Sequence, residues 1–377
     1  MSAVDGSEDL VGQRVEVEVG PIAHGGHFVA RHEGQVVFVR HALPGEQVTV
    51  EITDSSGSFL RGDAVEVHTA SDHRVPAPCP LAHPGGCGGC DFQHVELGEQ
   101  RRLKGAVVTE QLARLAGVER EVEVEAVPGD QDGLRWRTRM QYVHFPDGGR
   151  GLRKHRSHDA VVVEDCLIAH PDAREPDRTG PVTERVEAAG RSHDFTVAGD
   201  GFWQVHPGAP RVLVETVLAM LAPVPGERAL DLYAGVGLFT AFLADAVGSA
   251  GSVTAIESDK RATDLATENL AGLPQAVVVR DRVDRALHRG MQNSGGADLV
   301  VLDPPRAGAK RQVVRAIAEL APRAVVYVAC DPAALARDVG YFAEQDYRLA
   351  DLRAFDVFPM THHVECVALF VPRATTR

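Results

Sequence analysis

The sequence predicts a doubly wound α/β domain in the C-terminal half, preceded by a small β-barrel and a β-rich central segment. Three observations lead there. Short strand-like runs separated by glycine and proline turns fill residues 11–68, clustered cysteines follow, and from about Pro210 strand and helix patterns alternate.

In the first segment the strand candidates are 14–19, 27–31, 35–39, 46–52 and 61–68, with Gly25-Gly26, Pro44-Gly45 and residues 55–58 between them. Short strands at this spacing suit a barrel of the oligonucleotide-binding type, or a generic five-stranded barrel. A Pro- and His-rich link, 72–84, leads into the first cysteines. Residues 99–117 read as a helix, with Leu103, Val107, Leu112 and Leu115 on one side and Gly117 as its stop. Residues 122–163 read as β-rich chain. The expected division is a barrel over 1–70, a central region over 71–200 and an α/β domain over 201–377, with helix 98–117 placed against the α/β domain.

In that last region the strand candidates are 229–233, 252–257, 276–279, 299–302, 324–329, 348–355 and 364–371. The first five alternate with helices starting near Leu238, Lys260, Arg282, Ala309 and Ala333. The last two follow each other with no room for a helix, and a closing hairpin of this kind is the usual end of a Rossmann-like methyltransferase.

Composition narrows the function. At 377 residues, 44% hydrophobic and 24% charged, the chain can bury a sizeable core. No run of eighteen apolar residues is present and the start, MSAVDGSEDL, has no signal-peptide pattern, so a cytoplasmic protein without membrane contact is expected, acting as a monomer. The net charge of −14 is unlike that of a nucleic-acid binder. Residues 131–158 are the exception: Arg135, Arg137, Arg139, Arg150, Arg153, Lys154 and Arg156 stand against Asp132 and Asp147. Such a stripe is either a solvated face or a local field that steers a phosphate backbone. Six cysteines in this setting argue for metal or catalytic roles rather than disulfides.

ALDLYAGVGLFT (229–240) is a strand, a tight glycine turn and a helix start, and Gly235 and Gly237 let the backbone approach a ligand. Glu257 ends the next strand, twenty-two residues after Gly235, where an acid accepts hydrogen bonds from ribose hydroxyls. Thr240 stands where a dinucleotide fingerprint needs a third glycine, which disfavours NAD or FAD. LDPPRAG (302–308) puts Asp303 at the carboxyl end of the fourth strand. YVACDPAALARD (327–338) puts Cys330 at the end of the fifth strand and before a helix, where a thiol gains thiolate character. A thiolate that adds to carbon 6 of uracil makes carbon 5 nucleophilic, and a base must later remove the carbon 5 proton. Glu365, in FPMTHHVEC (358–366), starts the last strand at the same end of the sheet. Cys366 reads as a small hydrophobe. The remaining cysteines, Cys79, Cys87 and Cys90 in CPLAHPGGCGGC and Cys166 in EDCLIAH, can close a four-thiol site for zinc or for a 4Fe–4S cluster.

GFWQVHP (201–207), DLYAGVGLFT, LDPPRAG, YVACDP and HHVECVALF, in this order and spacing, resemble the RNA uridine-5 methyltransferase family, and residues 11–68 are similar to its TRAM domain. The resemblance implies a class I fold that binds S-adenosyl-L-methionine and an RNA substrate, ribosomal or transfer. It implies Cys330 as nucleophile, Glu365 as the proton-abstracting base, and Gln204, Tyr233, Glu257, Asp281 and Asp303 as cofactor contacts. It also implies a 4Fe–4S cluster on Cys79, Cys87, Cys90 and Cys166. Asp331 stands where the family often has Asn, and its carboxylate is expected to oppose thiolate formation. The alternatives are methylation of cytosine or a purine, and a non-catalytic RNA-binding iron–sulfur protein.

Overall fold

A computed structural model describes residues 10–130, 132–289 and 296–373. The chain opens with β1 (Arg14–Glu18), β2 (Ile22–Ala23), β3 (His27–His32), β4 (Gln35–Arg40), β5 (Gln47–Ser55) and β6 (Phe59–Thr69). They form one curled sheet in the order β1-β5-β6-β4-β3-β2, with β4 and β6 parallel. Alternation sends Val15 and Val17, Val37 and Val39, and Val48 and Val50 into a shared interior. β2 is a sixth strand beyond the five expected, and at two residues it is too short to show a period.

α1 (Leu97–Gln111) runs into a π-helical turn, Leu112–Ala116, and stops at Gly117, whose φ is 64°. Leu103, Val107 and Leu112 are buried as their spacing predicts, but Leu115 is 39% exposed. The wider i→i+5 turn rotates it away from the core, which a 3.6-residue period does not anticipate. β7 (Val124–Ala126) follows. The basic stretch holds β8 (Arg137–Arg139), β9 (Val143–His144), β10 (Arg150–Arg153), β11 (Ala160–Val162) and β12 (Ala169–Arg174), in two small sheets, β11-β10-β9 and parallel β12-β8. A hairpin of β13 (Val182–Ala188) and β14 (Arg191–Val197) then leads to α2 (Ala209–Leu221).

Beyond α2 the chain alternates: β15 (Arg228–Leu232), α3 (Leu238–Val247), β16 (Ser252–Glu257), α4 (Lys260–Asn269), β17 (Ala276–Arg280), α5 (Val283–Arg289), β18 (Leu299–Leu302), α6 (Lys310–Glu319), β19 (Ala324–Ala329) and α7 (Pro332–Ala343). β20 (Tyr347–Asp356) and β21 (Glu365–Pro372) close it. The eight-stranded order is β17-β16-β15-β18-β19-β21-β20-β7, and β21 runs antiparallel to both neighbours. β18 and β19 are apolar and buried throughout, as strands covered on both faces must be. The order reverses between β15 and β18, so the crevice at their carboxyl ends is where a doubly wound fold binds its ligand. α1 and β7 lie within 71–200 in sequence, yet β7 extends the α/β sheet beside β20 and α1 packs on α7.

One contact fixes α1 to this sheet. Lys104 Nζ lies 2.5 Å from Asp356 Oδ1 and donates to the Phe358 carbonyl at 3.0 Å, with both side chains fully buried. Removing one member leaves a buried charge alone, which costs about 3–5 kcal/mol, whereas a hydrophobic pair of similar volume is tolerated. Asp356→Ala should therefore lower the denaturant-unfolding free energy by about that amount, and the double variant Lys104→Met/Asp356→Leu should recover most of it.

Candidate active site

The glycine turn after β15 is wound tightly. Tyr233, Gly235 and Gly237 have φ of 63°, 55° and 93°. A non-glycine residue in this region is uncommon and marks a conformation held by its surroundings. A Cβ on Gly235 would meet open space, whereas one on Gly237 would press on Leu270 at 3.1 Å. Glu257 spans the turn: Oε2 accepts from Gly235 N at 3.1 Å, and Oε1 from Ser258 N and Asp259 N at 2.6 and 2.8 Å. Oε2 thus keeps acceptor capacity toward the crevice. Asp281 follows β17 next to it, its N–H bonded to the Glu257 carbonyl at 3.1 Å. Gln204, 7% exposed, lies between β14 and α2, and its amide has no hydrogen bond among the described residues.

Asp303 continues from β18, its N–H bonded to the Leu232 carbonyl at 3.2 Å. Burial, then the Asp231 carboxylate, push its pKa up to about 7. Asp231 is fully buried and accepts from Thr240 Oγ1 at 2.6 Å, while its Oδ1 has no partner; burial raises it to about 7 as well.

Cys330 and Glu365 face each other. Ala329 pairs with Cys366 across β19 and β21, so the next residues, Cys330 and Glu365, come together at the carboxyl end of the sheet. Glu365 is 4% exposed, and burial and then Asp303 raise its pKa well above the usual carboxylate range. Burial first, then Glu365 and Asp303, push the Cys330 thiol up to about 11, against the opposing pull of Arg306. The expected gain of thiolate character from the helix start is therefore outweighed in the free protein. Asp331, the carboxylate next to Cys330, is ionised and engaged by two partners. It caps α7 by accepting from Ala334 N at 2.7 Å and pairs with His24 of the barrel at 3.3 Å, and its pKa is lowered. Cys366 is fully buried, as expected of a small hydrophobe.

Arg306 is the residue that sequence reasoning passed over. It lies in the LDPPRAG segment, and its guanidinium favours the Cys330 thiolate and reaches the His363 ring at 3.2 Å. A cavity of about 180 Å³ opens over Cys330, walled by Arg306, His363, Lys104 of α1 and the barrel turn Gly25-Gly26.

The four outlying cysteines also come together, lining one cavity of about 440 Å³ in the central region. Gly89 N donates to Cys87 Sγ and Gln93 Nε2 to Cys90 Sγ, each at 3.4 Å, and the Cys166 carbonyl accepts from Ala169 N at 2.8 Å. Burial raises the thiols of Cys87, Cys90 and Cys166. No group of three or more His, Cys, Asp or Glu among the described residues is placed to hold a metal ion. Asp91, beside Cys90, bonds His362 Nδ1 at 2.6 Å and His362 N at 3.1 Å, three residues before Glu365.

The chain is matched by known protein families. A family model described as tRNA (Uracil-5-)-methyltransferase covers residues 178–373, and one described as TRAM domain covers 8–65. The chain belongs to the tRNA (uracil-5-)-methyltransferase family. It is an S-adenosylmethionine-dependent RNA methyltransferase of the uracil-5 type. It is 45% identical to an uncharacterized RNA methyltransferase of Streptomyces avermitilis, over 97% of this chain and 99% of the relative. It is 31% identical to the 23S rRNA (uracil(1939)-C(5))-methyltransferase RlmD of Pseudomonas aeruginosa, over 96% of this chain and 94% of the relative. Its fold matches that of the Pyrococcus abyssi tRNA (uracil-54, C5)-methyltransferase in complex with S-adenosyl-L-homocysteine, with a TM-score of 0.69 at 22% identity, covering 94% of this chain and all of that one. No helix among the described residues is long and apolar enough to cross a membrane.

The geometry makes a chemical expectation for this uracil-5 enzyme. With its pKa at about 11, the Cys330 thiolate fraction in the free enzyme climbs about tenfold per pH unit below that value. Iodoacetamide alkylation of Cys330, followed by peptide mass spectrometry, should be slow at neutral pH and rise with that slope. Arg306→Met should slow it further, because the pull that favours the thiolate is gone.

Proposed function

We propose that the enzyme methylates carbon 5 of a uridine in ribosomal or transfer RNA through a covalent adduct between Cys330 and carbon 6 of the uracil. The observation that carries this reading is the β19–β21 register, which brings Cys330 and Glu365 together beside Asp303. Bound S-adenosylmethionine supplies an electrophilic methyl group on a cationic sulfonium. The chain's own residues suit that cofactor. Gly235 leaves open space at the turn, Glu257 offers a carboxylate oxygen to the ribose, and Gln204 has an unpaired amide. Asp231 and Glu365 are buried acids and Asp303 a half-buried one, all with little compensating positive charge, so a cation beside them draws them back toward their carboxylate forms.

Cys330, as thiolate, forms the bond to carbon 6, and the electron pair of the 5,6 double bond moves to carbon 5 and its neighbouring carbonyl. Once carbon 5 carries the methyl group, Glu365 takes its proton. The 5,6 double bond re-forms and the carbon–sulfur bond to Cys330 breaks. Arg306 assists by stabilising the thiolate both before addition and on departure. The cavity over Cys330 is narrow, as befits a single base turned out of its stack.

We infer further that Cys79, Cys87, Cys90 and Cys166 hold a 4Fe–4S cluster. Their support is one shared cavity and N–H donors aimed at the sulfurs of Cys87 and Cys90, as cluster-binding thiolates accept. The cluster would serve as a staple for the loop-rich region 71–200, which together with the barrel over 1–70 holds the RNA.

Two outcomes test these readings. Cys330→Ala should abolish methyl transfer while leaving S-adenosylmethionine affinity unchanged, and Glu365→Gln should accumulate an RNA adduct that survives denaturation. Full activity of Cys330→Ala, measured by nucleoside mass spectrometry, sinks the covalent route. Anaerobically purified protein should contain iron and acid-labile sulfide and lose both in Cys166→Ser, with weaker RNA binding and unchanged cofactor affinity. One equivalent of zinc in colourless protein overturns the cluster.

A further inference from the structure

The barrel has a second face. With Phe28, Val37, Val39, Leu60 and Ala64 inside, alternation turns His27, Phe38, Arg40, Arg61 and Asp63 outward on β3, β4 and β6. Register places Phe38 beside Arg61 and Arg40 beside Asp63. This face does not open straight to solvent. It meets Lys154, His155 and Arg156 of the central region across a cleft of about 430 Å³.

The cleft wall carries donors without acceptors. Arg40 is 7% exposed, yet its Nη2 has no hydrogen bond, and its neighbouring carboxylates, Asp63 and Asp91, stand 3.9 and 3.8 Å away. Arg61 Nε is buried and unpaired among the described residues as well, and so is His27 Nε2, a ring nitrogen whose role depends on the tautomer. Each buried donor left unpaired costs about 1–3 kcal/mol, so the two guanidinium donors along one wall mark a place where acceptors belong. Aromatic surface lies among them. His27 meets Phe38 edge-on at 78° and lies tilted at 60° to His155, with ring centres 6.3 and 6.1 Å apart, so neither pair is stacked face to face. Burial, then the Arg40 charge, hold both histidines near pKa 4, which leaves them as neutral rings.

The cleft adjoins the active site. Ile22, Gly25 and Gly26 wall the cavity over Cys330, and the next residue, His27, walls the cleft. His24, on the same turn, pairs with Asp331. A strand whose uridine entered the cavity would carry its neighbour across this turn. We propose that the cleft binds a second, unpaired nucleotide of the substrate RNA, its base against Phe38, His27 and His155 and its phosphate toward Arg40 and Arg61. Flat rings with flexible cations are the usual platform for an unpaired base. The assignment to the same strand rests on the uridine methylation reading; the nucleotide site itself does not.

The test uses the full-length protein and a fluorescein-labelled oligouridylate in an anisotropy titration. Phe38→Leu keeps bulk but removes the π face, and His155→Ala lies outside the barrel core. Each should weaken oligouridylate binding about 5- to 150-fold, the range that loss of one base–aromatic stack gives. The RNA KM should rise alike, with the rate at saturating RNA, cofactor affinity and Tm unchanged. Ultraviolet crosslinking of the wild type should label peptides containing Phe38 or His155. Unchanged affinity in both variants, crosslinks confined to the cavity over Cys330, or no oligouridylate binding by the wild type would overturn the proposal and assign the unpaired donors to ordered water. Loss of the methylation reading looks different: no RNA is methylated by the wild type, while oligouridylate binding and its sensitivity to Phe38→Leu persist.

Discussion

The ion pair between Lys104 and Asp356 sets the frame in which the catalytic groups stand. Asp356 ends β20, and the following residues, 357–364, must return the chain so that Glu365 begins β21 opposite Cys330. That loop borrows its shape from earlier parts of the chain. Lys104 holds the Phe358 carbonyl, Gln100 accepts from Met360 N at 2.9 Å, and Asp91 N and Phe92 N donate to the Met360 carbonyl. Asp91 then takes both the ring and the backbone N–H of His362. Gly26 of the barrel closes the other side, where a Cβ would lie 2.5 Å from His362 Cβ. An eight-residue irregular loop becomes well defined because buried polar groups outside it bond its backbone at several points.

Within this frame the chemistry is governed by a shortage of positive charge. Asp231 and Glu365 are buried and Asp303 half-buried at the sheet's carboxyl end, and desolvation pushes each up; Cys330 shares the environment and the same direction. Arg306 is the cation that faces the thiol, and it is exposed. A site built this way is poised for a cation. In the free enzyme its acids are partly neutral and its nucleophile is held back, which protects a thiol that would otherwise react indiscriminately. A positive ligand reverses the balance for several groups at once, because they interact with one another at low dielectric.

Much of this was legible in the sequence, and the boundary of legibility has a physical cause. The parallel strands could be read because their burial on two faces requires continuous apolar runs, and β18 and β19 show them. Cys330, Asp303 and Glu365 were legible as strand-end residues of a doubly wound sheet, where position follows from topology. Arg306 was quoted within its motif but given no role, since nothing local reveals that its guanidinium turns to the thiol. The partners of Asp331 were hidden for the same reason: its adjacency to Cys330 is plain, but its engagement with Ala334 N and His24 is a matter of direction. β7 was read as part of the central β-rich chain, and only pairing with β20 places it in the α/β sheet. The exposed Leu115 depends on a π turn that an ideal helical period conceals.

The −14 net charge and the RNA substrate class are reconciled by how the basic stripe is spent. Arg135 is engaged by Asp165 at 2.6 Å, and Arg150 lies over the Tyr142 ring at 4.5 Å. These residues brace the small sheets of the central region and add little field to the surface. Lys154 and Arg156 differ from the other five, for among the described residues their side chains make neither a hydrogen bond nor an ion pair, and they lie where Cys87 bridges to Lys154. Gly88 permits that approach, because a Cβ there would sit 2.5 Å from His155 N. The cysteine loop therefore carries the unpaired cations on one side, while Asp91, next after Cys90, grips the catalytic loop on the other. Folding that loop into one shape thus sets the position of the cations and the orientation of His362 together, so the cysteines can govern RNA contact and active-site order without touching the reacting base.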